Sequence, residues 1–425
     1  MALAAVALCA GRGALAAQDG LAVKPPMGWR SWNQFQSSAT QATMMQAFAA
    51  LVDTSRNVDG APASLASLGY TDAGIDDYWQ LCGSYGPDNY TYHDALGAPV
   101  VDTTKFPDFK GMCAAAHAVN LTCGWYGNNC GCHDHCTDLA CFAGDINAAI
   151  EFGFDSWKLD GCGAEESIET FYTMAAWATK KAGRKPFLFE NCHNGPNEPT
   201  RVPDWQPFHF YRASTDIAPT YGSILANVNE IPRIAAANLS FPGTWAYPDM
   251  LEVGITLKQS MPRVLNLVES RTHFALWCIV SSPLILGFDP SDKANLDSVW
   301  SIITNREAIA IDQDYAGFSG TRFFESETLV PMSPCGWWLP NCSWPSAQYW
   351  SKPLSNGDTA VLLVNNADTP QDLSLQFGDV PSLNAGGRYA LRDVNNKADL
   401  GTFTSSFVAS AVASRDSVFL RFKSA

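Results

Sequence analysis

Basic residues are scarce in this 425-residue chain: 27 Lys and Arg stand against 42 Asp and Glu, a formal net charge of −15. Partners made of phosphate need a basic footprint, so nucleic acid and anionic membrane surfaces are disfavoured as partners. Histidine is scarcer still, at seven in all. No His-Glu-x-x-His pair and no EF-hand loop occurs, so the usual marks of a metal-dependent hydrolase are missing. No Gly-x-Ser-x-Gly occurs either, which removes the signature of a serine hydrolase with a nucleophile elbow. Long hydrophobic runs are lacking. The stretch from Ala275 to Gly287 is apolar but well short of the roughly 20 residues a spanning helix needs. Charged residues are only 16% against 47% hydrophobic, a balance that suits a globular chain rather than a disordered one. The length fits one large barrel with an accessory domain.

Cysteine, by contrast, is plentiful. The chain opens on an apolar run, Met1 to Ala10, with a small-residue exit at Ala14-Leu15-Ala16. That pattern reads as a signal peptide over residues 1–17 although no Lys or Arg precedes the run, and it predicts secretion or delivery to a lysosome-like vacuole. Twelve of the 13 cysteines lie beyond it, dense for a cytosolic enzyme and expected as disulfides in an oxidising compartment. Four Asn-x-Ser/Thr sequons, at Asn89, Asn120, Asn238 and Asn341, agree with that route. Cys130, Cys132, His133, His135 and Cys136 crowd together. They suit either a zinc site or disulfides, and the compartment favours disulfides.

Short apolar runs alternate with amphipathic stretches through the first 290 residues or so. Eight candidate strands lie at 27–29, 71–75, 122–126, 156–159, 187–189, 208–211, 244–247 and 283–286, with helical patterns such as 42–51, 168–181 and 257–280 between them. Eight such alternations predict an α/β fold, a (β/α)8 TIM barrel over residues 18–320, although periodicity alone also allows an open doubly wound sheet. Beyond Gly320 strands and turns take over, among them 359–364, 388–391 and 417–420. Residues 321–425 are therefore expected to form a C-terminal antiparallel β-sandwich.

In such a barrel the reacting groups sit where strands end and βα loops begin. The second candidate strand runs into Asp76-Asp77, the third ends at Tyr126, and the fourth ends in Lys158 and Asp160. The sixth leads to Arg212 and Asp216, and the seventh to Asp249. A ring of carboxylates around one mouth suits a neutral polyhydroxylated ligand, since carboxylates accept from hydroxyls while aromatic faces cover the C–H side of a sugar ring. Two carboxylates from different strands divide the labour of glycoside hydrolysis, one attacking the anomeric carbon and the other serving as acid and then base. Lys158, two residues before Asp160, points to the same side of the pleat and would keep that carboxylate ionised.

At these residues the chain resembles the melibiase-type α-galactosidases of glycoside hydrolase family 27, which include α-N-acetylgalactosaminidases. The resemblance runs from about Pro25 to the C-terminus. It rests on Pro25-Pro26-Met27-Gly28-Trp29-Arg30-Ser31-Trp32-Asn33, Ile75-Asp76-Asp77-Tyr78-Trp79, Trp157-Lys158-Leu159-Asp160-Gly161-Cys162, Arg212-x-x-x-Asp216-Ile217, Pro248-Asp249-Met250-Leu251 and Ala308-Ile309-Ala310-Ile311-Asp312-Gln313-Asp314, all in the family's order. It implies a (β/α)8 barrel followed by an antiparallel β-domain, Asp160 as nucleophile and Asp216 as acid/base. It implies further that Trp32, Asp76, Asp77, Tyr126, Lys158, Arg212 and Asp249 line the sugar subsite. Asp76 and Asp77 would hold the 4- and 6-hydroxyls, Lys158 the 3- and 4-hydroxyls, and Arg212 and Asp249 would act near the 2-hydroxyl. No metal or organic cofactor is implied. The substrate would be a terminal α-galactoside, and a second copy of the chain is a candidate partner in a homodimer.

The departures bear on specificity. The loop that senses the sugar's 2-position reads Cys-Glu-Trp in galactosidases and Cys-Ser-Trp in N-acetylgalactosaminidases, but here it reads Cys192-His193-Asn194-Gly195. His193 stands where that Glu or Ser would be. Ala246 and Tyr247 replace polar residues common before the Pro-Asp motif. The family ties the cysteine after the nucleophile to the third βα loop, which here implies Cys162 with Cys130 or Cys132. Cys335 and Cys342 are spaced to close a small loop, and Trp337-Trp338 inside it suit packing at the domain interface or a sugar platform. Other glycones on the same scaffold, an N-acetylgalactosamine or a β-L-arabinopyranose, and a non-catalytic sugar-binding homologue are the competing readings. The retained Asp76-Asp77 pair speaks against the arabinopyranose, which has no 6-hydroxymethyl group.

Overall fold

The computed structural model describes residues 19–425 apart from 87–90, 129, 135–138, 162–167, 193–207, 257–263 and 338. The predicted signal peptide, His193 and Cys162 lie outside the described residues.

Eight parallel strands form one curled sheet: β1 (Met27–Arg30), β2 (Asp72–Gly74), β3 (Thr122–Asn128), β4 (Ser156–Asp160), β5 (Leu188–Cys192), β6 (Phe210–Arg212), β7 (Trp245–Tyr247) and β8 (Leu284–Leu286). They follow one another in chain order, with β8 paired back onto β1. A parallel bridge between Leu251 and Leu286 closes the ring between β7 and β8, so the architecture is the (β/α)8 barrel and not an open sheet. The eight strands appear where the apolar runs stand, five of them running one to three residues further at the C-terminal end and the others shortened by a residue at one or both ends.

Alternation along each strand separates two environments. On β3 and β4 the odd positions, Trp125, Trp157 and Leu159, turn toward the helices, where Trp125 stacks on Phe154 and Trp157 at centroid distances of 4.8 and 5.1 Å. The even positions, Tyr126, Lys158 and Asp160, turn toward the barrel's interior and mouth. Arg30 fills the interior, fully buried. Its Nη2 lies 2.6 Å from Asp72 Oδ2 and its Nε 3.6 Å from Glu190 Oε2. Small neighbours make the room: a Cβ on Gly74 would lie 2.8 Å from the Arg30 side chain, and one on Gly28 would lie 2.1 Å from the Asp72 carbonyl.

Helices α1 (Gln41–Val52), α2 (Phe109–Ala118), α3 (Leu139–Phe152), α4 (Ile168–Lys181), α5 (Tyr221–Val228), α6 (Ile231–Ala236), α7 (Leu267–Ile279), α8 (Lys293–Ile303) and α9 (Arg306–Asp312) wrap the sheet. The helix expected over 257–280 begins at Leu267. Asn266 caps it, accepting from Val268 N and Glu269 N while Glu269 reaches back to Asn266 N. That reciprocal cap starts the helix ten residues later than the apolar pattern suggests.

From Thr321 onward the strands are antiparallel. Six form one sheet: β9 (Thr321–Glu325), β10 (Ala347–Pro353), β11 (Thr359–Asn365), β12 (Arg388–Asp393), β13 (Ala398–Thr404) and β14 (Ser417–Ser424), in the order β9-β10-β11-β14-β12-β13. β11 is buried along its whole length, and its alternation explains why. Ala360, Leu362 and Val364 join the barrel's core with α7, while Val361 and Leu363 face Leu373, Leu375 and Phe407 from a two-stranded sheet of Gln371–Gln376 and Ser406–Val412. The result is the expected β-sandwich with one of its layers packed on the barrel.

The long segment after β2 is pinned to the segment after β3. Asp134 Oδ2 accepts from the backbone of Thr91 and Tyr92 at 2.6 and 2.8 Å, and a Cys82–Cys132 disulfide joins the two segments. This pairing removes Cys132 as a partner for Cys162. Cys130 is also disulfide-bonded, so the thiolates a zinc ion would need at 130 and 132 are used. His93 sits at the same junction, its Nε2 3.2 Å from Asp145 and its Nδ1 3.6 Å from Asp134. Burial alone would lower its pKa, but the two carboxylates outweigh that and hold it at about 10. A raised folded-state pKa contributes stability that is complete below the unfolded value and lost as pH rises through the folded one. The stability lost in His93→Gln should therefore be greatest below about pH 6.5 and shrink steadily toward pH 10. Denaturant unfolding of both proteins across that range measures it, and a difference independent of pH would contradict the ion pairing.

Candidate active site

At the C-terminal end of the barrel a cavity of about 260 Å³ opens between the strand ends. Nine residues singled out in the sequence meet there: Trp32, Asp76, Asp77, Tyr126, Lys158, Asp160, Arg212, Asp216 and Asp249. They come from six strands or the loops that follow them, so only closure of the barrel brings them together. Asn33, Glu252 and Trp337 line the cavity as well. Sequence reasoning assigned no site role to Asn33 or Glu252, although the first ends one quoted motif and the second directly follows another.

Asp160 ends β4. Its Oδ2 accepts from Tyr126 Oη at 2.7 Å and its Oδ1 from Gly161 N at 3.0 Å. Asn128 Nδ2 in turn donates to Tyr126 Oη at 3.1 Å, which fixes the phenol. Burial would raise the Asp160 pKa, but the charges of Lys158 and Arg212, with the Tyr126 and Cys192 hydrogen bonds, outweigh it and hold the carboxyl below its usual range. Asp160 is thus kept as a carboxylate with its oxygens oriented.

Lys158 is buried and donates to Asp76 Oδ2 at 2.8 Å. Burial opposes its charge, yet Asp76, Cys192, Glu190 and Asp160 together push its pKa well above the ordinary lysine value. Asp76 is placed by its own backbone, whose N–H donates to Ser31 Oγ at 2.9 Å. Beside it, burial and the neighbouring Asp76 and Asp160 charges push the Asp77 carboxyl upward, against the pull of its hydrogen bonds. Below this layer Glu190 is fully buried, paired with Arg30 and hydrogen-bonded by the Tyr247 hydroxyl. Tyr247, noted in the sequence as a replacement for a polar residue, is itself the polar partner here.

Across the mouth, Arg212 contacts Asp216 Oδ1 and lies 3.6 Å from Asp249 Oδ2. Asp249 is positioned from three sides: its carboxylate accepts from Ile217 N at 2.9 Å and Met250 N at 2.7 Å, and its carbonyl accepts from Trp277 Nε1 at 2.7 Å. The Asp216 side chain is 58% exposed, whereas that of Asp249 is 7% exposed. Asp216 is therefore the one of the two that incoming solutes reach freely. Trp32 stacks on Tyr78, with centroids 5.9 Å apart and planes 16° from parallel, and walls the Asp76-Asp77 side. Among the described residues no group of three His, Cys, Asp or Glu side chains is arranged to hold a metal ion.

Removing one partner of a buried pair leaves an uncompensated charge, which costs roughly 3–5 kcal/mol. Lys158→Met should lose about that much in urea unfolding, and adding Asp76→Asn should restore part of it. A double variant no more stable than Lys158→Met alone would show that the two charges are not coupled.

Residues 24–314 match the family described as "Alpha galactosidase A", and residues 345–422 match the "Alpha galactosidase C-terminal beta sandwich domain". A "Probable alpha-galactosidase" of Dictyostelium discoideum is 29% identical over 397 residues, 92% of this chain and 90% of its own length. An "Alpha-galactosidase" of Oryza sativa subsp. japonica is 28% identical over 85% of this chain and 76% of its own. A longer relative, "Probable alpha-galactosidase D" of Aspergillus terreus, is spanned over 52% of its length. The fold is shared with alpha-galactosidase I of Mortierella vinacea (TM-score 0.75, 23% identity, 96% and 99% of the two chains). It is shared equally with a β-L-arabinopyranosidase of Geobacillus stearothermophilus (TM-score 0.76, 18% identity, 97% and 98%). With a family match across most of the chain and the site residues gathered at one barrel mouth, the chain belongs to the melibiase-type α-galactosidases, glycoside hydrolase family 27.

Proposed function

We propose that the chain is an exo-acting retaining α-galactosidase in which Asp160 is the nucleophile and Asp216 the general acid/base. The observation that carries the reading is the contrast between the two carboxylates. Asp160 is half-buried, oriented by Tyr126 and held ionised by Lys158 and Arg212, while Asp216 stands exposed on the same cavity. A nucleophile must be charged and an acid must carry a proton, so the pair needs environments this different.

An Asp160 oxygen attacks the anomeric carbon as Asp216 gives its proton to the departing glycosidic oxygen. The glycosyl–Asp160 ester is then attacked by water, which Asp216 deprotonates, and galactose leaves with its α configuration retained. Asp76 and Asp77 would accept from the 4- and 6-hydroxyls and Lys158 would donate to the 3- and 4-oxygens, with Trp32 against the ring's apolar side. Arg212 and Asp249 would meet the 2-hydroxyl. His193 is assigned to the 2-position on its place in the sequence. Residues 18–320 are proposed as the catalytic unit and 321–425 as the β-domain. The disulfides Cys82–Cys132, Cys113–Cys123 and Cys335–Cys342, with exposed sequon asparagines at 120, 238 and 341, support a secreted or vacuolar glycoprotein with a cleaved leader.

Assay on the 4-nitrophenyl α-galactoside, α-N-acetylgalactosaminide and β-L-arabinopyranoside tests the reading. Turnover of the first, with α-galactose as the first-formed anomer by NMR, is expected, and Asp160→Asn should lose about 10³-fold or more in kcat. Turnover confined to another glycone would move the specificity to the Cys192–Gly195 loop. Sugar binding without any turnover would favour the lectin-like reading and end this one.

The acid limb of kcat/KM reports ionisation of the free enzyme's nucleophile. Since Asp160 is held down by Lys158 and Arg212, that limb should lie below about pH 4 and move upward in Tyr126→Phe. On the alkaline side activity should fall as the general acid loses its proton. A profile flat through about pH 8 would overturn Asp216 as that acid.

A further inference from the structure

Trp337 lines the catalytic cavity although it does not belong to the barrel. It lies in the antiparallel C-terminal region, at the tip of a ribbon formed by Leu329–Met332 and Cys342–Pro345. The Cys335–Cys342 disulfide closes the tip, and Cys335 N donates to Leu339 O at 2.9 Å across it. Three contacts press this tip onto the segment that follows Asp216. Trp337 Nε1 donates to Ile217 O at 2.8 Å, and Thr220 Oγ1 donates to Pro334 O at 3.1 Å. Gly222, in the first turn of α5, comes so close that an added Cβ would lie 2.9 Å from both Cys335 Sγ and Pro334 O. The placement of the indole is therefore built in from both sides of the interface.

Its position defines what it can touch. The glycone pocket is walled by Asp76, Asp77 and Lys158 around Asp160, whereas the acid/base of a retaining glycosidase stands beside the oxygen that leaves. A side chain anchored on the residue after Asp216 borders the leaving group and not the galactose. With its N–H engaged by Ile217, the half-buried indole has only its apolar face to offer. Pro219, two residues after Ile217, adds a second apolar surface to the cavity wall, and Gln36 lines the same cavity with a polar one. An apolar aromatic plane with a polar edge beside it complements a pyranose, whose faces are C–H and whose rim is hydroxyl.

We propose that Trp337 is the platform for the sugar that leaves, so that the β-domain selects oligosaccharide aglycones for a reaction carried out by the barrel. This rests on the reading of Asp216 as acid/base. The test compares melibiose, whose leaving group is a pyranose, with methyl α-galactoside, whose leaving group has no ring. The ratio of kcat/KM for the first over the second should fall about tenfold in Trp337→Ala. Trp337→Gln, which keeps bulk and a donor for Ile217 but loses the aromatic face, should show the same fall. Trp337→Phe, which keeps a face, should retain most of the wild-type ratio. A ratio unchanged in the Ala and Gln variants, whether both activities drop together or neither does, overturns the platform and leaves Trp337 a packing residue. Failure of the wild type to turn over either glycoside overturns the α-galactosidase reading beneath it, and the inference with it, and that result is visible before any variant is made.

Discussion

A buried lysine with carboxylates on several sides is the constraint on which this site depends. Lys158 is taken out of water on β4, which disfavours its charge, and the surrounding Asp76, Cys192, Glu190 and Asp160 together reverse that penalty. The carboxylates need the lysine equally. Without it Asp160 would lose the largest of the charges that oppose its desolvation, and Asp76 would lose its partner at 2.8 Å. Each charge thus supports the others, and the ionised state of Asp160 belongs to the cluster rather than to the residue.

The cluster requires a barrel to hold it. Arg30 beneath it occupies space that Gly74 leaves open, and it bridges Asp72 on one strand to Glu190 on another. Tyr247 supplies a hydrogen bond to Glu190 from a third. Alternation along β3 and β4 sends Trp125 and Trp157 into the aromatic layer under the helices and leaves Tyr126 and Lys158 facing inward. The same two-residue period in β11 divides its side chains between the barrel core and the β-sandwich core. One sheet is thereby shared by both hydrophobic units, and its neighbouring ribbon carries Trp337 to the edge of the active cavity.

Much of this was legible beforehand. The eight strands stand where apolar runs are flanked by polar strand ends, because a parallel strand buried on both faces must be apolar along its length. Lys158 and Asp160 were readable as one side of a pleat from their spacing alone. The misread helix start was a matter of capping: apolar periodicity continues upstream of Asn266, but the Asn266–Glu269 exchange satisfies the free N–H groups and ends the helix there. Cys132 was read as a candidate partner for Cys162, yet it joins Cys82, since disulfide pairing follows spatial proximity and sequence spacing does not reveal it.

By itself the sequence determined the α/β class, the order of the two units and five of the carboxylates at the barrel mouth, Glu252 being the one it did not single out. Those properties follow from local periodicity and from residue types at strand ends, which are written in contiguous stretches. Only the tertiary structure decided which neighbours hold the Asp160 carboxyl below its usual range, how Glu190, Arg30 and Tyr247 share one buried network, and that an indole 121 residues downstream of Asp216 lines the same cavity. Charge state and proximity depend on burial and on neighbours from distant segments, and these exist only once the barrel has closed and the β-sheet has packed against it.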